Sequence, residues 1–242
     1  MISISSIING LVEEHHYQIF YVPEFQITED LYIQLTLATK DHFEYLIFTD
    51  IDFNSLPLVN DTVQIALYQK LNRHLEILNK KTGSDFILSH YFENNTSLII
   101  STEVPLLADK NEIFKSVSAV EENSFYFKKQ VIYFALPELE CFGYKDSEVN
   151  SISEYCGHIV SDLNRYKQFT ESRDAEYEFI VKLYEKLPFL NLSVSEQDTL
   201  NIDEMIKDAL TEEESILLSE LLLLDDDEKR ENWIELQGKD ND

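Results

Sequence analysis

Two carboxylates two residues apart, Asp50-Ile51-Asp52, follow an apolar run that reads as a strand. Such a pair at a strand end can chelate a divalent cation, as in phosphoryl-transfer sites. A nucleotidyltransferase would also place a Gly-Ser helix start before the pair and a third carboxylate on a later strand, whereas Gly83-Ser84 comes after it. An exposed strand end is the plainer reading, and a metal-dependent enzyme centred on Asp50 and Asp52 is an alternative. His15-His16 serve one metal poorly, because neighbouring side chains point apart on a strand and diverge by ~100° on a helix. His42, His74, His90 and His158 are scattered, and Cys141 and Cys156 form no C-x-x-C pair. Cys156 and His158 are two residues apart on an expected helix and do not face each other. The sequence contains no G-x-x-x-x-G-K-[ST], G-x-G-x-x-G or G-x-S-x-G, which removes P-loop, dinucleotide-binding and nucleophile-elbow chemistry. A nuclease element is not assembled either, because no Glu-x-Lys lies on a convincing strand after an Asp-bearing one. The expectation is a chain without catalytic, cofactor-binding or metal-ligating residues.

Interaction is the better-supported theme. Residues Glu121 to Phe134 combine an acidic pair, a run of three aromatic residues Phe125-Tyr126-Phe127, and Lys128-Lys129, with Tyr133 and Phe134 beyond. A basic and aromatic spot in an acidic chain can contact a phosphate or an acidic partner; the plainer reading is that the lysines are the solvent side of a half-buried strand. A Leu-rich segment around Leu217 and Leu221 has helical spacing and can be a core helix or a helix that docks in a partner's groove. Expected partner-binding residues are Phe125, Tyr126, Phe127, Lys128, Lys129, Leu217, Leu221 and the single tryptophan, Trp233.

Elements to position these residues follow from periodicity. Ile7 to Val12 suits a helical turn or two, and Tyr17 to Val22 a strand ended by Pro23. Leu31, Ile33, Leu35 and Leu37 alternate with Tyr32, Gln34, Thr36 and Ala38, so this strand and Phe43 to Thr49 predict a hairpin. Asn60 to Lys81 carries Val63, Leu67, Leu71, Leu75 and Leu78, the pattern of an amphipathic helix capped by Asn60 or Asp61 and ended by Gly83. Phe86 to Phe92 and Ser97 to Thr102 predict a second hairpin around Asn94-Asn95. Asp109 to Val120 predicts a short helix with Ile113, Phe114, Val117 and Val120 on one face. Phe125, Phe127, Val131 and Tyr133 alternate as in a strand, with a helix as the competing reading. After Pro137 come a long apolar stripe from Ile152 to Phe169 and a helix from Ala175 to Leu187 stopped by Pro188, expected to pack as a pair. Thr211-Glu212-Glu213-Glu214 has the capping-box form and predicts a helix start. The fold class expected is α+β: an N-terminal mixed or antiparallel sheet with one or two helices, then a helical C-terminal half. The regions expected are 1–137, 151–224 and an acidic, mobile tail over 225–242.

Composition bounds the rest. Of 242 residues 44% are hydrophobic, with 13 Tyr and 15 Phe and only five Gly and five Pro, enough to fill a core. The formal charge of −27 repels a phosphate backbone and disfavours broad nucleic-acid binding. No basic n-region opens the sequence, and the apolar run Ile216 to Leu224 is interrupted by Ser219 and Glu220, far short of the ~20 residues a membrane span requires. A cytoplasmic protein is expected.

Residues Val120-Glu121-Glu122-Asn123-Ser124-Phe125-Tyr126-Phe127-Lys128-Lys129-Gln130-Val131-Ile132-Tyr133-Phe134, with Lys186-Leu187-Pro188-Phe189-Leu190 downstream, resemble the middle components of bacterial ABC-type three-component systems. The likeness covers roughly residues 85 to 225, with Asn123-Ser124 where the family's pattern has Asp-Pro. It implies a non-catalytic accessory subunit encoded beside an ABC- or SMC-like ATPase, and often an effector, in defence against phages or plasmids. A different expectation from charge alone is an acidic inhibitor that mimics DNA and occupies a basic cleft.

Overall fold

The computed structural model describes residues 3–83, 85–172, 174–192 and 209–222. The chain divides into two compact units, Met1–Ser193 and Val194–Asp242. In the first, helix α1 (Ile4–Glu14) precedes strands β1 (Gln18–Gln26), β2 (Tyr32–Lys40) and β3 (Glu44–Asp50). A π-helical turn (Val59–Val63) leads into α2 (Gln64–Thr82), and β4 (Thr96–Glu103), α3 (Lys110–Glu121) and β5 (Lys128–Phe134) follow. The helical half comprises α4 (Leu136–Glu140), α5 (Ile152–Val160), α6 (Leu163–Ser172) and α7 (Ala175–Lys186). The fold is therefore the expected one, a mixed sheet followed by a helical C-terminal half.

The sheet has the order β1-β2-β3-β4-β5. β1, β2 and β3 form an antiparallel meander, and β4 and β5 add to it in parallel. The turn from β2 to β3 places Asp41 and His42 at φ 54° and 55°, with the Phe43 N–H donating to the Lys40 carbonyl at 3.1 Å; this primed turn matches the twist of a hairpin. Consecutive same-handed crossovers in one direction across a sheet put their helices on one face. Accordingly, Leu67, Leu71 and Leu75 of α2 and Ile113, Val117 and Val120 of α3 pack with Leu37, Tyr45, Ile47, Leu98 and Ile100 of the sheet. On the other face Leu46, Phe48, Ile99 and Ile132 meet α1, Leu139, Cys156 and the α7 residues Phe179, Ile180 and Leu183. β3 is buried on both sides over Tyr45–Phe48, as strands under two helical layers must be.

Several local expectations change. Pro23 does not end β1: the strand continues to Gln26 with a register shift between Val22 and Phe25. β1 is an edge strand, where a bulge accommodates a residue without an N–H. Asn60 caps nothing; it lies inside the π-helical turn and its Nδ2 donates to the Ala119 carbonyl at 2.8 Å. Gly83 ends α2 as expected, at φ 73°, with its N–H on the Asn79 carbonyl. The second hairpin is absent. Residues 85–89 form no strand, because β4 has β3 on one side and β5 on the other and no free edge for a hairpin partner. Phe114 is 70% exposed while Ile113, Val117 and Val120 are buried. The stripe from Ile152 to Phe169 is two helices, broken where Asp162 accepts the Asn164 N–H at 2.8 Å, and α6 buries none of its residues. In the second unit the helix Glu212–Leu222 opens with the expected capping box: the Thr211 N–H donates to Glu214 Oε2 at 2.8 Å, and the Glu214 N–H to Thr211 Oγ1 at 3.3 Å.

Carboxylates tie the helical half together. Glu176 Oε1 accepts from the Gly143 N–H at 2.7 Å and the Tyr155 hydroxyl at 2.5 Å, while its Oε2 meets Arg165 at 2.9 Å. The same guanidinium grips Asp174, the N-cap of α7, through Nε and Nη2 at 2.7 Å. Burial pushes the Asp174 carboxyl up, but the Tyr177 N–H and Arg165 outweigh it and hold the group below its ordinary range. A depressed carboxyl contributes stability above its unfolded value and loses it as pH falls through the folded value. Arg165→Met should therefore cost ~1–3 kcal/mol near neutral pH. That deficit should stay constant from pH 8 to 5 and narrow below about pH 4 in denaturant titrations at each pH.

Candidate functional site

Aromatic side chains gather at the end of the sheet where β3, β4 and β5 begin. Phe43, in the turn before β3, lies 4.8 Å from Tyr91 between ring centroids, and His90 lies 3.9 Å from Tyr91. Tyr68, on the outward side of α2, lies 4.8 Å from Tyr126 in the loop before β5. Between the two pairs runs a groove of about 350 Å³ lined by Tyr68, Asn72, Leu88, Ser89, His90, Phe92 and Glu93. Phe43, Tyr68, Tyr91 and Tyr126 are each 40–55% exposed, and Phe125 is 67% exposed. The Glu93 carboxylate beside the Tyr68 phenol raises its pKa.

The strip is held from beneath. Tyr45 is fully buried and its hydroxyl accepts the Ser89 N–H at 2.9 Å; the Ser89 hydroxyl donates to the His42 carbonyl at 2.6 Å and accepts the Tyr91 N–H at 3.2 Å. The loop 88–92 is thereby fixed to the β2–β3 turn. Thr96 closes it from β4 through a hydrogen bond to the Phe92 carbonyl, and Phe92 packs edge-on to Tyr45 and Phe127.

On the other side of the groove, Lys129 is 2% exposed. Its ammonium donates to Gln64 Oε1 at 2.8 Å and to the carbonyls of Phe125 and Phe127 at 2.9 and 3.0 Å, so all three of its protons are used. Gln64, itself buried, passes the link on by donating to the Asn60 carbonyl at 2.7 Å and to Asn123 Oδ1 at 3.3 Å, and Asn123 Oδ1 also accepts the Phe125 N–H. This network bends residues 123–127 over the start of β5 and holds Tyr126 at φ 61°. A left-handed conformation is costly for an aromatic residue and persists only where its surroundings enforce it. Burial lowers the Lys129 pKa, yet its acceptors are all neutral, so its work is to shape the loop.

The residues expected to bind partners therefore separate. Phe125, Tyr126 and Lys128 face solvent, whereas Phe127 and Lys129 are interior. Leu217 is half-buried. Leu221 lies in the helix Glu212–Leu222, but its side chain, like Trp233, falls outside the described residues. Asp50 closes β3 at the opposite end of the sheet, where Ser5 donates to Oδ2 at 2.7 Å and Ser101 donates to Oδ1. Asp52 caps the turn Phe53–Ser55 by accepting the Asn54 N–H. Glu103 shares a depression with both aspartates. Among the described residues no group of three or more His, Cys, Asp and Glu side chains is placed to hold a metal ion. His15 and His74 pack against Phe189 and Phe25, and burial pushes the Cys156 thiol up to about 12. Phe43, Tyr68, His90 and Tyr91 were not among the residues expected to bind partners; their signal was aromatic residues in turns and, for Tyr68, an aromatic off the Leu67-Leu71-Leu75 stripe.

No family model matches this chain, and no curated protein or solved structure shows significant similarity to it. No helix among the described residues is long and apolar enough to cross a membrane.

Replacing Lys129 by Met leaves the Gln64 amide and two loop carbonyls without their shared donor. The variant should lose about 1–3 kcal/mol in urea unfolding, and its near-ultraviolet circular dichroism should change as Tyr126 leaves its enforced geometry.

Proposed function

We propose that this chain is a non-catalytic accessory subunit that binds a partner protein through the aromatic strip of Phe43, Tyr68, His90, Tyr91 and Tyr126. The partner is an ABC- or SMC-like ATPase of a bacterial defence complex, to which an effector is added. The observation that carries the binding role is the strip itself: five rings at one end of the sheet, exposed and held by a buried hydrogen-bond network. Tyrosine presents a large, stiff contact area at low conformational cost and is enriched among the residues that dominate interface energies. A surface fixed before the encounter loses little entropy on binding. The charge of −27 steers the chain toward a basic face of its partner and speeds association at low salt. The identity of that partner rests on the resemblance of residues 120–134 and 186–190 to middle components of three-component systems.

Tyr126 separates binding from folding. Glycine adopts φ 61° without strain, so Tyr126→Gly should stay within ~1 kcal/mol of the parent in stability, because relief of the backbone offsets the lost contact with Tyr68. The same change, combined with Tyr68→Ala, should weaken binding to the ATPase encoded beside this chain by about 30-fold, the effect of losing ~2 kcal/mol of interface energy. Unchanged affinity in calorimetry, or a chain that remains a partnerless monomer beside that ATPase, would overturn the proposal.

A further inference from the structure

At the far end of the sheet from the aromatic strip, where β3 and β4 finish, a pocket of about 260 Å³ opens between α1, the β1 bulge and the sheet. Asp50 stands in it, and both of its carboxylate oxygens are held by serine hydroxyls, Ser5 from α1 and Ser101 from β4. Each oxygen keeps a lone pair, and no Lys, Arg or His lines this pocket or the neighbouring depression that Asp50 shares with Asp52 and Glu103. Asn9, Gln34 and Thr36 also line the pocket, and none of these side chains makes a hydrogen bond among the described residues. Ile8 and Phe48 supply apolar walls. The arrangement is an oriented, uncompensated carboxylate with three unengaged polar side chains around it, lined by apolar surface, as small-ligand sites are.

From these groups we infer that the pocket binds a guanidinium group, with Asp50 as its counter-ion. A guanidinium offers five N–H donors in a plane and pairs with a carboxylate through two parallel hydrogen bonds. The lone pairs of Asp50, the amide oxygens of Asn9 and Gln34 and the Thr36 hydroxyl supply more acceptors than the three protons of an ammonium can use. The guanidinium is also weakly hydrated and tolerates apolar walls better than an ammonium does. Its source is either a small free cation or an arginine side chain on another protein. In both cases the net negative chain attracts it. This site is distinct from the aromatic strip and stands or falls without it, because its test uses the isolated chain and small probes.

The probes are methylguanidinium, Nα-acetyl-arginine amide, Nα-acetyl-citrulline amide and Nα-acetyl-lysine amide, titrated into the full chain and followed by amide NMR shifts. A guanidinium probe should shift Ser5, Asn9, Asp50 and Ser101, the citrulline and lysine analogues should bind at least tenfold more weakly, and Asp50→Asn should lose at least tenfold. Equal affinity of methylguanidinium and the arginine amide identifies a small free cation, and tighter binding of the arginine amide identifies a peptide arginine; both support the site. Absence of shifts with either guanidinium, binding of the citrulline or lysine analogue as tightly, or unaltered affinity of Asp50→Asn overturns it. Should Asp50→Asn fail to fold, Gln34→Leu, at an exposed position on β2, must weaken the arginine amide instead; full affinity in that variant also overturns the site.

Discussion

Strands β3, β4 and β5 carry apolar side chains on both faces, and a sheet of that kind has no side to give to water. Tyr45 and Ile47 of β3 point into one core, Leu46 and Phe48 into the other. Two helical layers are then obligatory. The crossover helices α2 and α3 supply one of them. α1 with α4, α5 and α7 supplies the second, which is why the helical half settles on the sheet. With both faces covered, the sheet meets solvent at its two ends and at its outer strands, and the two arrangements of exposed, unengaged groups occur at the ends.

This acidic chain also draws several carboxylates partly out of solvent. It does so by using them as joints between elements distant in sequence. Glu14 accepts from Ser151 Oγ and from the Ile152 and Ser153 N–H groups, fixing the start of α5 to α1. Glu121 accepts the Val131 N–H of the outer strand β5 and pairs with Lys186 of α7. Glu138 pairs with Lys182, whose ammonium also sits 4.6 Å over the Tyr133 ring. The bond from Glu121 blocks part of an otherwise open strand edge, a protection against pairing with other chains.

Much of the fold was legible because it rests on short-range pattern. The alternation of Leu31 to Leu37, the 3–4 spacing of Leu67 to Leu75, Gly83 and the Thr211 capping box each became the element expected. What was not legible depended on distant neighbours. Whether Ser97 to Thr102 pairs in a hairpin or in parallel is decided by β3 and β5 occupying its two sides. Lys129 looked like the solvent face of a strand, and it is interior because Gln64, 65 positions earlier, meets it with an acceptor. The aromatic strip likewise draws Phe43, Tyr68, Tyr91 and Tyr126 from four separate segments, each unremarkable in sequence. Asp50 and Asp52 are the reverse case: close in sequence and suggestive of a metal, they are set to different tasks by Ser5, Ser101 and Asn54.

The end of the sheet where β3, β4 and β5 begin is the face we propose this chain presents to a protein partner. Hydrogen–deuterium exchange on the chain alone and in complex with the proposed ATPase partner tests this directly. Slowed exchange should be confined to residues 41–45, 66–73, 88–94 and 123–128, with 5–9 and 50–52 unaffected by this partner. Protection appearing instead on α5 to α7, or no protected segment at that end of the sheet, would contradict the claim.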